Sequence, residues 1–141
     1  MTQEQKDILL KDLCARVPYG VKFKHEGRHT IGKVLSIYPH RKWAGVIYFD
    51  DAINHPKECD MGDIKPYLFL LSSMTEEQKE FIKNKFCYDW DIDDHPYSLW
   101  AQCIDIGDVD DLIDWFHKNH IDYRGLIEKG LAIDATNLNI Y

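Results

Sequence analysis

The feature that most constrains the fold is a joint in the middle of the chain, residues 64–79, where one sequence pattern gives way to another. An uncharged apolar run, residues 67–71, is followed closely by Thr75-Glu-Glu-Gln78, which has the form of a helix-capping box. Residues 1–71 carry 11 Lys or Arg and 9 Asp or Glu, whereas residues 72–141 carry 6 and 15. We therefore predict two lobes on a shared core: a near-neutral, strand-rich lobe over 1–71 and an acidic helical lobe over 72–141.

Bulk composition is that of an ordinary globular protein. The chain has 141 residues, of which 45% are apolar and 29% charged, a balance far from that of disordered segments. Its longest apolar run is much shorter than the roughly 20 residues that a membrane-spanning helix requires. Its polar, acidic first residues lack the basic and apolar regions of a signal peptide. We therefore expect a soluble, cytoplasmic protein with no membrane partner.

The first lobe has the pattern of a helix followed by short strands. Thr2-x-x-Gln5 is a capping box, and Asp12 is expected on the solvent side of the helix that it opens. The apolar side of this helix is formed by Leu9, Leu10, Leu13, Cys14 and Val17. Strands are predicted at 21–25, 30–38, 43–49 and 64–71, with Pro66 indicating an edge or a strand start and 50–62 forming a loop. The predicted fold class is α+β, with the helix covering a small, curved antiparallel sheet or an SH3-like barrel.

The second lobe changes to helical periodicity, with one helix beginning near Thr75 and another capped by Asp108. Their buried stripes are predicted at Phe81, Ile82 and Phe86 in the first and at Val109, Leu112, Ile113 and Phe116 in the second. A short helix is predicted over 123–129, capped by Asp122 and ended by Gly130. The tail, 132–141, is expected to fray unless Leu138 or Ile140 docks.

Four segments stand out together: residues 10–22 (LKDLCARVPYGVK), 64–68 (IKPYL), 72–79 (SSMTEEQK) and 122–132 (DYRGLIEKGLA). They resemble a family of short uncharacterised proteins of gut bacteria and their phages or mobile elements. In that family a basic residue and a proline are expected after the second segment, where this chain has Phe69 and Leu70. The resemblance implies a related fold and a phage or mobile-element setting, and it implies no activity.

One acidic segment has part of a calcium-binding pattern. Asp89-x-Asp91-x-Asp93 begins like an EF-hand loop, which then needs a glycine and a bidentate glutamate. This chain has Asp94 and Trp100 at those two positions. We therefore interpret the aspartates as a solvated acidic face.

A second cluster has part of a zinc-binding pattern. Asp114, His117 and His120 are spaced by three residues on or near one predicted helix, so their side chains could converge. Zinc would still need further ligands from elsewhere, and a histidine near a helix end is favoured by the helix dipole alone. We interpret these residues as structural, with Asp114 paired to Lys118, and we predict no metal site and no cofactor.

No catalytic motif is recognisable in the chain. It has no G-x-S-x-G nucleophile elbow, no glycine-rich phosphate loop and no C-x-x-C pair. The four widely spaced cysteines are predicted to be free and buried: Cys14, Cys59, Cys87 and Cys103. A carboxylate pair could be chosen from the 24 acidic residues in many ways, and no pattern favours one choice. An enzyme with an unrecognised active site therefore stays an alternative.

Two surfaces are candidates for binding. Single-stranded nucleic-acid sites combine basic and aromatic residues, and such a set is predicted on the sheet: Lys22, Lys24, Tyr38, Arg41, Lys42 and Trp43. The pI of about 5.4 is low for a nucleic-acid-binding protein, and the alternative is a solvated face with Trp43 in the core.

The acidic lobe is the second candidate surface. It could contact a basic partner surface through Asp110, Asp111 and Asp114, or serve only solubility.

These observations predict a non-enzymatic binding module whose partner is a protein. The first alternative is a nucleic-acid-associated protein of a phage or mobile element that uses the basic sheet face, and the second is the enzyme. An exposed aromatic and basic patch, or an acidic one, would favour the binding module. A concave pocket with convergent polar groups would favour the enzyme.

Overall fold

The computed structural model describes residues 1–28, 30–52, 55–86 and 106–141. Three α-helices lie in these ranges: α1 (Gln3–Arg16), α2 (Glu76–Phe86) and α3 (Ile106–Lys118). Six strands accompany them: β1 (Lys22–His25), β2 (Ile31–Tyr38), β3 (Trp43–Tyr48), β4 (Lys57–Asp60), β5 (Ile64–Leu68) and β6 (Ile133–Asp134). The fold class is therefore α+β, as predicted. None of these helices is long and apolar enough to cross a membrane.

The strands form one open sheet in the order β4-β3-β2-β1-β5-β6. Every pairing is antiparallel except that of β5 with β6. The register between β2 and β3 shifts between Val34 and Ser36, and such a bulge bends a strand and increases its twist. The described pairings make an open, mostly antiparallel sheet, and the SH3-like barrel stays a prediction.

Strand β4 corrects the prediction of a loop over residues 50–62. It lies at the edge of the sheet, where charged side chains are common because they discourage pairing with other chains. Lys57 and Glu58 are exposed, and Cys59 is the buried member of the strand. Because three of its four residues are charged, the segment lacks the apolar alternation from which strands are predicted.

Strand β5 is shorter than predicted, and in the strand order it lies between β1 and β6 rather than at the edge of the sheet. Pro66 lies opposite Phe23 of β1. On its other side β5 pairs with β6 only at Tyr67 and Leu68. The missing N–H of the proline therefore falls where the strand has one neighbour, which is the position that a sheet tolerates.

Helix α1 begins as predicted. The hydroxyl of Thr2 accepts the backbone N–H of Gln5 at 3.2 Å, and the Gln5 side chain accepts the backbone N–H of Thr2 at 2.8 Å. Leu9 and Leu13 are fully buried against the sheet. Asp12 is also fully buried, contrary to the prediction that it faces solvent.

The second lobe contains two of its three predicted helices. The prediction that Asp108 caps one of them is wrong, because α3 begins at Ile106 and Asp108 lies within it. The capping box at the start of α2 forms, with Gln78 N–H donating to the Thr75 hydroxyl at 3.2 Å. Residues 123–130 form turns rather than a helix. The Asp122 carboxylate nevertheless caps this segment, because it accepts the N–H groups of Leu126 and Ile127 at 2.9 and 2.8 Å.

The tail docks, and of the two residues predicted to hold it Ile140 is half-buried and contacts Lys22, whereas Leu138 is exposed. Leu138 is 45% exposed, whereas Ala135 is fully buried. Ala135 donates its N–H to the carbonyl of Leu68 at 2.7 Å, and the Tyr141 hydroxyl donates to the carbonyl of Tyr67 at 2.9 Å. These bonds hold the end of the described chain beside β5.

The core consists of three apolar clusters that meet near the joint. The largest joins α1 to the inner face of the sheet. Leu71 packs among residues of α2 and α3, and Leu68 packs with Leu126 and Leu131. The joint thus contributes to two clusters in the second half of the chain, while the lobe boundary at residue 71 stays a prediction.

Candidate binding surfaces

The turn between β2 and β3 exposes an aromatic pair. Tyr38 and Trp43 are cross-strand partners and are 42% and 38% exposed. The interpretation that places Trp43 in the core is therefore wrong. With exposed Arg41 in the turn between them, these three residues form what we call the hairpin patch.

Local backbone geometry explains why the hairpin patch projects from the sheet. The N–H groups of Arg41 and Lys42 donate to the carbonyls of Tyr38 and Pro39 at 3.1 and 3.3 Å, which closes the turn. Lys42 ends it in a left-handed conformation, with φ of 57°. A Cβ on Gly45 would lie 2.3 Å from the Ser36 hydroxyl, so β2 and β3 can approach this closely next to the hairpin only with a glycine at position 45.

The predicted basic set is divided by the structure. Lys42 pairs with Asp7 of α1, and this hydrogen bond lowers the pKa of the Asp7 carboxyl. The Lys22 ammonium donates to the carbonyl of Ile140. Lys24 and Arg41 are exposed and have no ion pair with a residue that the structure describes. Among the described residues, Lys42 is thus the one predicted cation with an ion pair, whereas Lys22 is held by a neutral carbonyl and Lys24 and Arg41 remain exposed.

Strand register adds Lys65, which the sequence did not indicate, and it places Lys33, which the sequence put with the basic residues of this half, beside Lys22. Lys22 lies opposite Lys33, and Lys24 lies opposite Lys65. Residues opposite one another share a face of the sheet, so the four form an outer lysine row: Lys22, Lys24, Lys33 and Lys65. Lys65 pairs with Glu26 at 2.7 Å. No sequence signal identifies this row, because it depends on the pairing of β1 with β5.

Acidic residues lie close to the hairpin patch. In the register of β3 with β4, Asp60 is opposite Trp43 and Glu58 is opposite Gly45. The aromatic pair therefore lies beside acids on one strand and beside Arg41 at the turn, and its charge surroundings are mixed.

The predicted acidic surface on α3 is also divided. Asp110 and Asp111 are exposed, and Asp111 lies 3.6 Å from the Lys85 ammonium of α2. Asp114 accepts a hydrogen bond from the hydroxyl of Tyr19, which raises the pKa of that tyrosine. Among the described residues Asp114 has no ion pair with Lys118, so that predicted pair is wrong, and Asp114 is a contact between the two halves of the chain.

Both predicted histidines are buried and take part in packing. His117 Nε2 and the Tyr123 hydroxyl share a hydrogen bond of 2.9 Å. The His120 ring stacks on the Tyr141 ring, with centroids 3.9 Å apart. Within the described ranges, no group of three or more His, Cys, Asp or Glu side chains could hold a metal ion. The segment with Asp89, Asp91 and Asp93 lies outside the described residues.

The two described cysteines differ in exposure. Cys59 is buried, and burial raises the pKa of its thiol to about 11. Cys14 is exposed, contrary to prediction, although partial desolvation raises its thiol pKa as well. Both are free thiols, and a raised pKa disfavours the nucleophilic thiolate. Cys87 and Cys103 lie outside the described residues.

A buried ion pair on α1, which the sequence did not predict, lies where the two halves of the chain meet. Arg16 is fully buried, and its guanidinium donates to the Asp12 carboxylate at 2.7 and 3.1 Å. It also donates to the carbonyls of Phe116 at 3.3 Å and Ile121 at 2.8 Å. The Arg124 Nε lies 3.4 Å from Asp12 without hydrogen-bond geometry. The spacing of Asp12 and Arg16 is visible in the sequence, but their burial is not.

A cleft of about 520 Å³ lies at the joint. It is bounded by the segment before α2 and the first turn of that helix, by the end of α3 and by the tail. The residues that line it are Phe69, Ser73, Thr75, Gln78, Lys118, Asn119, His120, Ile121, Thr136 and Tyr141. We call it the joint cleft.

Acid is expected to destabilise the protein through its two buried histidines. Burial lowers the pKa of His117 and His120 from the ordinary 6.5 to about 4. Between these values the unfolded chain binds more protons than the folded one, so the free energy of unfolding falls as the pH falls from 6.5 towards 4. The linkage limit is about 1.4 kcal/mol per pH unit for each histidine. Urea unfolding at a series of pH values measures this slope.

His117→Gln supplies the comparison for that experiment, because glutamine can still hydrogen-bond to Tyr123 but does not titrate. Burial raises the pKa of Asp122. Near that pKa the folded chain binds more protons than the unfolded one, so the free energy of unfolding rises as the pH falls. This contribution has the opposite sign to that of the histidines and is the same in both proteins. The difference between wild type and variant therefore isolates one histidine. Equal slopes for the two proteins would contradict the prediction.

Comparisons of the chain with protein-family models, with curated proteins and with solved structures find no match.

Proposed function

We propose that this protein is a non-enzymatic binding module that contacts a protein partner through the hairpin patch. The observation that carries the proposal is the exposure of Tyr38 and Trp43 side by side at the end of a hairpin. Trp, Tyr and Arg are the residue types that dominate the energy of protein interfaces, because they bury a large area and retain a polar group. The hairpin patch contains one of each.

The charge around the hairpin patch favours a protein over a nucleic acid. A polyanion requires a continuous positive surface, whereas Trp43 lies opposite Asp60 and Lys42 is neutralised by Asp7. The net charge of −7 adds long-range repulsion. The outer lysine row supports the nucleic-acid alternative, but Lys22 and Lys65 are already engaged within the chain.

The proposal is tested with Trp43→Ala in a pull-down from the native host, quantified by mass spectrometry. The partner is expected to be retained at least about tenfold less by the variant, since losing an interface hot spot costs about 2 kcal/mol or more. Because Trp43 is exposed, the melting temperature should change little. Leu138→Ala is the matched control, because it removes a similarly exposed apolar side chain on the tail and should retain the partner.

Two other variants separate the alternatives. Lys24→Glu with Lys33→Glu should leave the protein partner bound, and it would abolish binding of single-stranded oligonucleotides if the outer lysine row held nucleic acid. Asp110→Lys with Asp111→Lys reverses charge on α3 and leaves the Tyr19 contact of Asp114 intact. If this pair loses the partner while Trp43→Ala retains it, the hairpin patch is not the interface.

A further inference from the structure

We propose that the joint cleft binds a planar heteroaromatic compound that carries hydroxyl groups and one anionic group, as a nucleoside monophosphate does. The cleft volume, about 520 Å³, lies within the approximate range of 300–1,000 Å³ for small-molecule sites. No residue of the hairpin patch lines it. This site is therefore separate from the proposed protein interface.

One wall of the joint cleft is aromatic. The rings of Phe69 and Tyr141 have centroids 5.8 Å apart, and the far side of the wall is closed by His120 stacked on Tyr141. Tyr141 remains 41% exposed although its hydroxyl is anchored to the carbonyl of Tyr67. His120 covers one face of the Tyr141 ring, and the Lys22 ammonium lies 5.3 Å from the ring centroid. A planar ring can therefore pack against Phe69 and the exposed edge of Tyr141, where edge-to-face and offset contacts add to the gain from area burial.

The polar residues of the joint cleft retain hydrogen-bonding capacity. The Gln78 side chain accepts the N–H of Thr75 through its oxygen, which leaves its amide NH₂ without a partner among the described residues. The Asn119 amide donates to the carbonyl of Trp115 at 2.9 Å, which leaves its oxygen as an acceptor. The Thr75 hydroxyl accepts an N–H and keeps its own proton to donate. Such a mixture of donors and acceptors suits the hydroxyl groups of a sugar.

Charge in the joint cleft favours an anionic group. Among the described residues that line it, Lys118 carries the single formal charge at neutral pH and no side chain is acidic. Lys118 is exposed and has no ion pair with a described residue. Glu76 and Glu77 belong to the first turn of α2 but do not line the cleft. A phosphate or carboxylate would therefore find an unpaired lysine and no acidic side chain in the lining of the cleft.

His120 adds an independent observation. It is 7% exposed, and its Nδ1 is buried without a hydrogen-bond partner. Leaving a buried polar atom unpaired is unfavourable, and the His120 backbone is held in the left-handed region with φ of 56°. A ligand nitrogen or hydroxyl that reached this atom would remove the cost. Burial keeps the imidazole neutral at pH 7, because its pKa is lowered to about 4.

The test uses the full chain with four probes: AMP, adenosine, ribose 5-phosphate and a trinucleotide. AMP is expected to bind with a submillimolar Kd by calorimetry. Adenosine should bind several-fold more weakly because it lacks the anion, and ribose 5-phosphate should bind more weakly still because it lacks the ring. NMR amide shifts should appear at Thr75, Asn119 and Thr136.

The trinucleotide distinguishes two natural ligands, a free nucleotide and the end of a nucleic-acid strand. If it binds more tightly than AMP and shifts the same amides, the natural ligand is the end of a nucleic-acid strand.

Lys118→Ala is expected to lower AMP affinity several-fold and to leave adenosine affinity unchanged. Lys24→Ala is the matched control, since it removes the same charge from an exposed and unpaired position on the sheet. Trp43→Ala should also leave AMP affinity unchanged, which separates this site from the proposed protein interface. No binding of AMP at millimolar concentration, equal affinity for AMP and adenosine, or shifts confined to the sheet would overturn the proposal.

Discussion

Arg16→Met is expected to lower the free energy of unfolding by about 3–5 kcal/mol, which is the usual cost of removing one partner of a buried ion pair. The substitution leaves the Asp12 carboxylate buried with only Arg124 nearby, at 3.4 Å. It also removes the donor from two buried carbonyls, those of Phe116 and Ile121. Urea unfolding monitored by circular dichroism measures the change.

Lys11→Met is the matched control for this prediction. Lys11 lies on the same helix and is exposed, so the change should alter the free energy of unfolding by less than about 0.5 kcal/mol. The double variant Asp12→Leu with Arg16→Met should recover part of the loss, since apolar replacement of both partners is often tolerated. A loss below about 1 kcal/mol for Arg16→Met alone would show that the buried pair contributes little.

A fragment containing residues 1–72 is expected not to fold into a stable monomer. It lacks the two carbonyls that satisfy Arg16 and the strand β6 that pairs with Tyr67 and Leu68. It would also expose the apolar joint, where Leu68 is fully buried in the intact chain, and exposed apolar patches promote association. Size-exclusion chromatography and urea unfolding measure the outcome.

The intact chain, purified and analysed in parallel, is the control for the fragment. It should elute as a discrete species and unfold cooperatively, whereas the fragment should aggregate or show no cooperative transition. If residues 1–72 are monomeric and unfold cooperatively, the two halves of the chain do not depend on a shared core. The prediction of two lobes packed on one core would then be wrong.

Features set by neighbouring residues were predictable from the sequence. Both capping boxes form as predicted, because each depends on a hydroxyl and an amide side chain three residues apart. The apolar spacing of α3 correctly placed Leu112 and Phe116 in the core. The α+β class followed from the same periodicities, together with the change of character at the joint.

The candidate sites were predictable only in part. Sequence analysis selected Tyr38, Arg41 and Trp43 as binding residues, and the structure brings them together at one hairpin. It did not identify the joint cleft, whose walls come from segments as far apart as Phe69 and Tyr141. Lys33 and Lys65 joined the outer lysine row only through the pairing of β1 with β2 and β5.

The sequence by itself determined where α1 and α2 begin, most of the residues in the apolar stripes and where the chain changes character, because these properties depend on contacts within a few residues. Phe81, predicted in the stripe of α2, is an exception because it is 43% exposed. Tertiary structure decided the rest. It buried Asp12 and Arg16 by placing the end of α3 over α1, it gave the charged segment of β4 a neighbour in β3, and it docked the tail beside β5. The physical reason is that a polar or charged residue has no fixed preference for burial. Its environment depends on whether distant residues supply the hydrogen bonds that burial requires.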